Sequence, residues 1–231
     1  MKAIILAAGV GSRIKNFNKK KHKSLLEVGG KSLLLRIVDS LRELNIKDIL
    51  IVTGHNSQQI KDSIGNKAKY SFFPNYKTSN NLQTLLSVKK EISGPFICLF
   101  ADIFFDKKIL FNLKKSKKEI CLAIDSSKVL KNTMRIVKKN HHINDIGSHI
   151  KVAEGHGNFI GIAKFSKKGS KKLKDSLKYF KNNQADYYTM ALRRLIEKKN
   201  KVSYFDCGSL YWAEIDLYQD YIKLKKNYAS K

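Results

Sequence analysis

The feature that most constrains this chain lies near its start, where an apolar run over residues 3–7 passes directly into the small-residue loop Ala8-Gly9-Val10-Gly11-Ser12-Arg13. A buried strand ending in a glycine loop predicts an open α/β sheet, since such sheets receive ligands at the carboxyl ends of their strands. Glycines let backbone N–H groups approach an anion closely, and Arg13 adds a planar positive fork suited to a polyphosphate. Two familiar phosphate loops are excluded. Ile14 stands where a dinucleotide fingerprint has its third glycine, and no Lys-Ser/Thr pair follows a final glycine as in a Walker loop. By itself the loop is equally an ordinary strand-exit turn.

The remaining pattern sustains the α/β reading. Helical periodicity at 33–44, 58–64, 82–90 and 107–113 alternates with apolar strand-length runs at 49–52, 70–73, 96–101 and 120–124. Continuous apolar strands imply a sheet covered on both faces. After residue 125 the rhythm changes: strand-like pieces at 133–138 and 158–165 flank the polar stretch 139–157, so residues 126–166 are expected to form a substrate-facing insertion. Helical patterns at 168–180 and 185–198, a strand at 202–205 and a helix at about 217–226 follow. With no internal repeat or Pro/Gly/Ser-rich linker, residues 1–231 read as a single domain.

A hydrophobic content of 42% supports a packed core rather than disorder. The net charge of +27, from 46 Lys+Arg against 19 Asp+Glu, favours anionic partners. The lysines are scattered, without an Arg-rich tract, so nucleic acid is not the expected partner and a triphosphate is. Cys98, Cys121 and Cys207 form no CxxC pair and read as core thiols in a reducing compartment. The first apolar run is too short for a signal peptide, and nothing approaches the ~20 apolar residues of a membrane span, so a cytoplasmic protein without membrane insertion is expected.

Taken in order, the LAAGVGSR stretch, Lys23 and the following LLEVGGKSLL resemble the nucleotidyltransferase superfamily that activates sugar phosphates, phosphocholine and related phosphate esters. The resemblance implies a three-layer αβα Rossmann-like fold with a mixed, mostly parallel sheet, and Mg2+ as cofactor. It also implies that Leu6, Ala7, Ala8, Gly9, Val10, Gly11, Ser12 and Arg13 frame the nucleotide, with Lys23 at its α-phosphate and Arg13 at the outer phosphates as the catalytic cations. One departure stands out. The family commonly carries Pro-Lys here, whereas this chain has His22-Lys23 at the end of a basic run that includes Lys19, Lys20 and Lys21.

Phosphoryl transfer between anions calls for carboxylates that hold a divalent ion. Asp102, beside Ala101 at the end of the 96–101 strand, matches the family's metal-binding aspartate, and both residues are expected at the nucleotide. Asp216, within Trp212-Ala213-Glu214-Ile215-Asp216, matches the second ligand, with Glu214 on the same face of an extended segment. A helix cap is the alternative role for either aspartate.

The stretch Ser79-Asn80-Asn81-Leu82-Gln83-Thr84-Leu85 resembles phosphocholine and 2-aminoethylphosphonate cytidylyltransferases more than sugar-phosphate enzymes. It implies CTP as donor, a small phosphate or phosphonate monoester as acceptor, and Asn80 and Asn81 at the nucleotide, although Ser79 or Asn80 also suits a helix N-cap. Gly157-Asn158-Phe159-Ile160-Gly161 resembles the family strand under the substrate, with Asn158 replacing an acid. Asn158, Asp186 and Tyr188 are therefore the expected substrate contacts, the last two with Tyr187 forming an acidic and aromatic wall. A core helix is the favoured reading of the tyrosines, and His141, His142, His149 and His156 lack ligand spacing and read as loop residues. A sugar-1-phosphate nucleotidyltransferase and a catalytically silent regulatory or nucleic-acid-binding member are the alternatives; association into a homodimer is left open.

Overall fold

Side-chain alternation along β1 (Lys2–Ala7) sets the layering: Ile4 and Leu6 enter one apolar cluster, whereas Ala3, Ile5 and Ala7 enter another on the opposite face. A computed structural model describes residues 1–14, 21–182 and 186–229. The principal sheet adds β4 (Asp48–Thr53), β5 (Lys69–Phe72), β6 (Phe96–Phe100), β8 (Ile120–Asp125), β9 (Met134–Lys139), β10 (His142–Gly147), β11 (Asn158–Phe165) and β12 (Val202–Asp206), in the order β5-β4-β1-β6-β11-β8-β12-β10-β9.

One face is covered by α1 (Leu33–Glu43), α2 (Ser57–Ile64) and α4 (Lys107–Lys115), the other by α3 (Asn81–Ser87), α5 (Lys167–Lys178) and α6 (Thr189–Glu197), whose leucines and isoleucines share the two clusters with the strands. This is the three-layer αβα arrangement. The sheet is mixed: β5, β4, β1 and β6 pair in parallel, as do β8 and β12, while β11 runs antiparallel to both β6 and β8. Side chains cap several helices, with Ser32 Oγ accepting from Leu35 N at 3.2 Å at α1 and Asp106 Oδ1 accepting from Lys108 N at 2.8 Å at α4.

Three features depart from the sequence expectations. The segment 126–166 is not set apart from the sheet, since β11 occupies its middle and β9 and β10 extend its far edge. The polar stretch after residue 139 conceals β10, because Asn140 and His141 adopt left-handed φ of 49° and 61° and turn the chain back onto β9. Two short ladders were not anticipated: β2 (Glu27–Val28) with β3 (Lys31–Ser32), and β7 (Ile103–Phe105) with β13 (Trp212–Glu214). The helix α7 (Tyr218–Ala229) follows β13 and packs Leu224 with Ile14, Val28, Leu33 and Ile215. The basic-run residues Lys19 and Lys20, and the expected helix start at Ala185, lie outside the described residues. No helix among the described residues is long and apolar enough to cross a membrane.

Candidate active site

The glycine loop leaves β1 at the carboxyl edge of the parallel strands and lines a cleft of about 360 Å³. Gly11 adopts a left-handed φ of +63°, and a Cβ there would lie 3.4 Å from the Lys23 side chain, so glycine lets this turn close over the lysine. Behind the loop, His55 N donates to Ala8 O at 3.2 Å, and the backbone approaches so closely at Gly54 that a Cβ there would lie 2.6 Å from the same oxygen. The ring of His22 meets Gly9 O at 3.2 Å. Two carbonyls of the loop are thus held away from the cleft, and among the described residues the N–H groups of Val10, Gly11 and Ser12 have no protein partner.

Opposite the loop, sheet topology gathers three carboxylates. Asp102 follows β6, and the β7–β13 ladder pairs Glu214 with Ile103. Ile215 N then donates to Asp102 O at 3.0 Å, which brings Glu214 and Asp216 alongside Asp102. Carboxylate oxygens of Asp102, Glu214 and Asp216 lie within 4.8 Å of one another. Trp212 fixes the approach of this segment, its indole N–H donating to Asp125 Oδ2 at 2.8 Å, and Asp220 Oδ2 accepts from the N–H groups of Asp216 and Leu217 at 3.0 and 2.7 Å.

Two cations answer this charge. Lys23 Nζ lies 2.6 Å from Asp102 Oδ2 and 3.2 Å from Asp216 Oδ1, and Arg13 Nη1 lies 3.0 Å from Asp216 Oδ2. Burial opposes charge on Lys23, but Asp102 and Asp216 more than offset it and hold its pKa above the ordinary lysine range. Burial, followed by the charges of Asp102 and Asp216, pushes the Glu214 carboxyl well above the usual carboxylate range. Asp102 Oδ1 is buried and has no hydrogen-bond partner among the described residues. An orphaned carboxylate oxygen within an all-oxygen acidic cluster fits a hard divalent cation such as Mg2+, which Asp102, Asp216 and Glu214 could hold.

Leu6 to Arg13, Lys23, Asn80, Asn81, Ala101, Asp102 and Asp216 all border the cleft. Asn81, however, is partly committed to the fold: its Oδ1 accepts from Tyr188 N at 2.8 Å. Three expected substrate contacts require correction. Asn158 is 0% exposed; its Oδ1 accepts from Leu130 N and Thr133 Oγ1, both at 2.9 Å, and its Nδ2 donates to Lys128 O at 2.7 Å, so the amide staples the preceding loop instead of facing a ligand. Tyr188 is likewise 0% exposed, its ring packed edge-on to Phe100 and Phe159, and Asp186 is absent from the cleft wall. Tyr187 takes that place, because adjacent residues point to different sides of the chain.

Several cleft residues escaped the sequence reading: His22, Ser24, Tyr76, Lys77 and the group Asn132, Thr133 and Met134. His22 carried a signal, the departure from Pro-Lys. The group at 132–134 carried none, since it reaches the cleft only through the pairing of β9 with β11.

Residues 3–126 match the family described as the MobA-like NTP transferase domain. The CTP:phosphoglutamine cytidylyltransferase of Campylobacter jejuni is 26% identical over 247 aligned positions, covering 95% of this chain and 97% of that protein. The choline-phosphate cytidylyltransferase of Haemophilus influenzae is 32% identical over 154 residues, 64% of each chain. The solved CTP:phosphocholine cytidylyltransferase of Streptococcus pneumoniae superposes with a TM-score of 0.82 over 98% of both chains at 24% identity, a likeness of fold. With a glycine loop, a half-buried lysine and an acidic cluster converging on one cleft, and with its first 126 residues matched almost throughout, the chain belongs to the MobA-like NTP transferase family.

Proposed function

We propose that this chain is a cytidylyltransferase that moves CMP from CTP to a small phosphate or phosphonate monoester and releases pyrophosphate. The observation that carries the reading is the convergence of Lys23 and the Asp102, Glu214 and Asp216 carboxylates opposite the open N–H groups of the glycine loop. The cytidylyltransferase relatives, one of them aligned along nearly the whole chain, support the choice of CTP.

In this reading an acceptor oxygen attacks the α-phosphorus of CTP, the bond from that phosphorus to the bridging oxygen breaks, and pyrophosphate departs with the electron pair. The acceptor is already an oxyanion, so no protein nucleophile is needed, and positioning and charge stabilisation dominate. Lys23 stabilises charge at the α-phosphate, while Arg13 and the N–H groups of the loop hold the outer phosphates. Lys23 and Arg13 then exchange carboxylate partners for phosphate oxygens. A Mg2+ ion held by Asp102, Asp216 and Glu214 would supply Lewis-acid neutralisation of the polyphosphate. Asn80, at the N-terminus of α3 on the cleft wall, presents an amide suited to the cytosine edge, and Tyr187, Thr133 and Met134 line the same cleft and are the candidates for contacting the acceptor.

The test is pyrophosphate release with each of the four NTPs and a panel of phosphocholine, 2-aminoethylphosphonate, glutamine phosphate, inositol phosphate and hexose 1-phosphates. Fastest turnover with CTP and a small ester is expected. Equal use of CTP and UTP, or a preference for glucose 1-phosphate, would reject the cytidylyltransferase reading in favour of a sugar-1-phosphate enzyme; no turnover with any pair would leave a silent member of the family.

A further inference from the structure

The geometry points to His22 as a positioning residue that joins the phosphate-binding loop to the turn carrying Lys23, so that the loop N–H groups and the ammonium meet a triphosphate in one fixed relation. His22 is only 5% exposed and lies on the cleft wall immediately before Lys23. Its partners determine its tautomer. Gly9 O can only accept, so Nε2 carries the hydrogen and donates across 3.2 Å; Nδ1 accepts from Ser24 N at 3.2 Å, with Ser24 Oγ 2.8 Å away. Burial, reinforced by the neighbouring His55, lowers the ring's pKa to about 4, which keeps it neutral in this bonding pattern.

The bridge matters because it links two segments that are otherwise anchored to different parts of the fold, the loop through Ala8 O to His55 N and the Lys23 ammonium to Asp102 and Asp216. The turn at Lys23–Leu25 is a single turn whose first N–H groups need a cap, which Nδ1 provides. At Gly9 nothing lies within 4 Å of where a Cβ would stand, so on that side no packing restrains the loop. His22 N also donates to Gln59 Oε1 at 3.0 Å, which ties the ring's own backbone to α2. A rigid element therefore reaches through one imidazole to both phosphate-facing groups. Displacement of such groups by about 1 Å is enough to lower turnover by one to two orders of magnitude.

His22→Gln, His22→Asn and His22→Ala separate this role from a simple cap. Gln places an amide N–H near the position of Nε2 and can keep the bridge to Gly9; Asn places an oxygen near Nδ1 and keeps only the cap on Ser24. In nucleotide-free protein, deuterium uptake by peptides spanning residues 6–14 is expected to rise several-fold in His22→Asn and His22→Ala and to stay near wild type in His22→Gln. Pyrophosphate release from Mg·CTP with the acceptor of the panel that turns over fastest should fall about tenfold or more in the Asn and Ala variants and recover in Gln. Wild-type behaviour of His22→Asn in both measurements, or damage in His22→Gln equal to that in His22→Ala, overturns the bridge. Only the turnover arm rests on the proposed reaction; a protein that transfers no nucleotide would reject that reading, while the exchange arm would still decide the role of His22. Should His22→Ala not fold, the Gln and Asn pair suffices.

Discussion

The Lys23 ammonium lies 2.6 Å from Oδ2 of Asp102 and so occupies part of the carboxylate cluster that could hold a divalent cation. Lysine and metal then compete for the same oxygens until phosphate draws the lysine away. Lys23→Met is expected to lower turnover by about two orders of magnitude while tightening Mn2+ binding to the nucleotide-free protein several-fold, read by calorimetry. Weaker Mn2+ binding would mean that Lys23 supports the cluster rather than competing with it. Lys21, paired with Glu27 on an exposed surface, should tolerate Ala with little change.

Three carboxylates crowd one site, and burial, followed by the charges of Asp102 and Asp216, pushes the Glu214 carboxyl toward neutrality. Glu214→Gln removes a carboxyl that ionises freely only in the unfolded chain, so its melting temperature in EDTA should rise above wild type, by the equivalent of about 1 kcal/mol or more, while the further gain on adding Mg2+ shrinks. Asp102→Asn and Asp216→Asn should fold and lose about two orders of magnitude in turnover. Near-normal turnover in either would remove that residue from the proposed metal site.

Asn80 and Asn81 are adjacent, yet their substitutions should separate. Asn81→Ala leaves the buried Tyr188 N–H without its acceptor and should cost about 1–3 kcal/mol in urea denaturation. Asn80→Ala should erode the ratio of kcat/KM for CTP over UTP, since a site built to bond one base edge leaves polar groups unpaired with the other. An unchanged ratio would move base selection elsewhere in the cleft.

Asn158 acts through the loop that it staples. Asn158→Ala strips partners from Leu130 N, Thr133 Oγ1 and Lys128 O, and a loss of about 2–4 kcal/mol is expected. Asn158→Asp loses the donors that face the carbonyls of Asp125 and Lys128, so it too should melt lower, without gaining any preference for cationic acceptors. A gain in kcat/KM for phosphocholine in Asn158→Asp would return this residue to the substrate site.

A buried neutral imidazole makes stability depend on pH. The folded pKa of His22 is lowered to about 4, so only the unfolded chain takes up this proton between roughly pH 6.5 and 4. The contribution is complete above about pH 6.5 and is lost progressively as pH falls toward 4, by up to about 3 kcal/mol. His55, Asp102 and Lys23 are the charged or titratable groups acting on the ring. Urea titrations at pH 7.5 and pH 5.0 should show a larger loss for wild type than for His22→Gln, whose side chain does not titrate; equal losses would contradict the assignment.

Local pattern in the sequence carried the αβα layering and half of the candidate site. Strand and helix periods, the glycine loop, Lys23 and Asp102 lie within short windows whose chemistry depends little on remote contacts, and the structure places these residues on one cleft. What only tertiary structure decided was pairing and facing. The β7–β13 ladder, a contact between distant segments, sets Glu214 and Asp216 against Asp102, and a shift of one residue would turn both of them away. The same sensitivity sends Tyr188 into the core and Tyr187 to the cleft, and makes Asn158 a staple. Composition and motif name the residues capable of a role, but the direction of each side chain is settled by register and by the burial that register imposes.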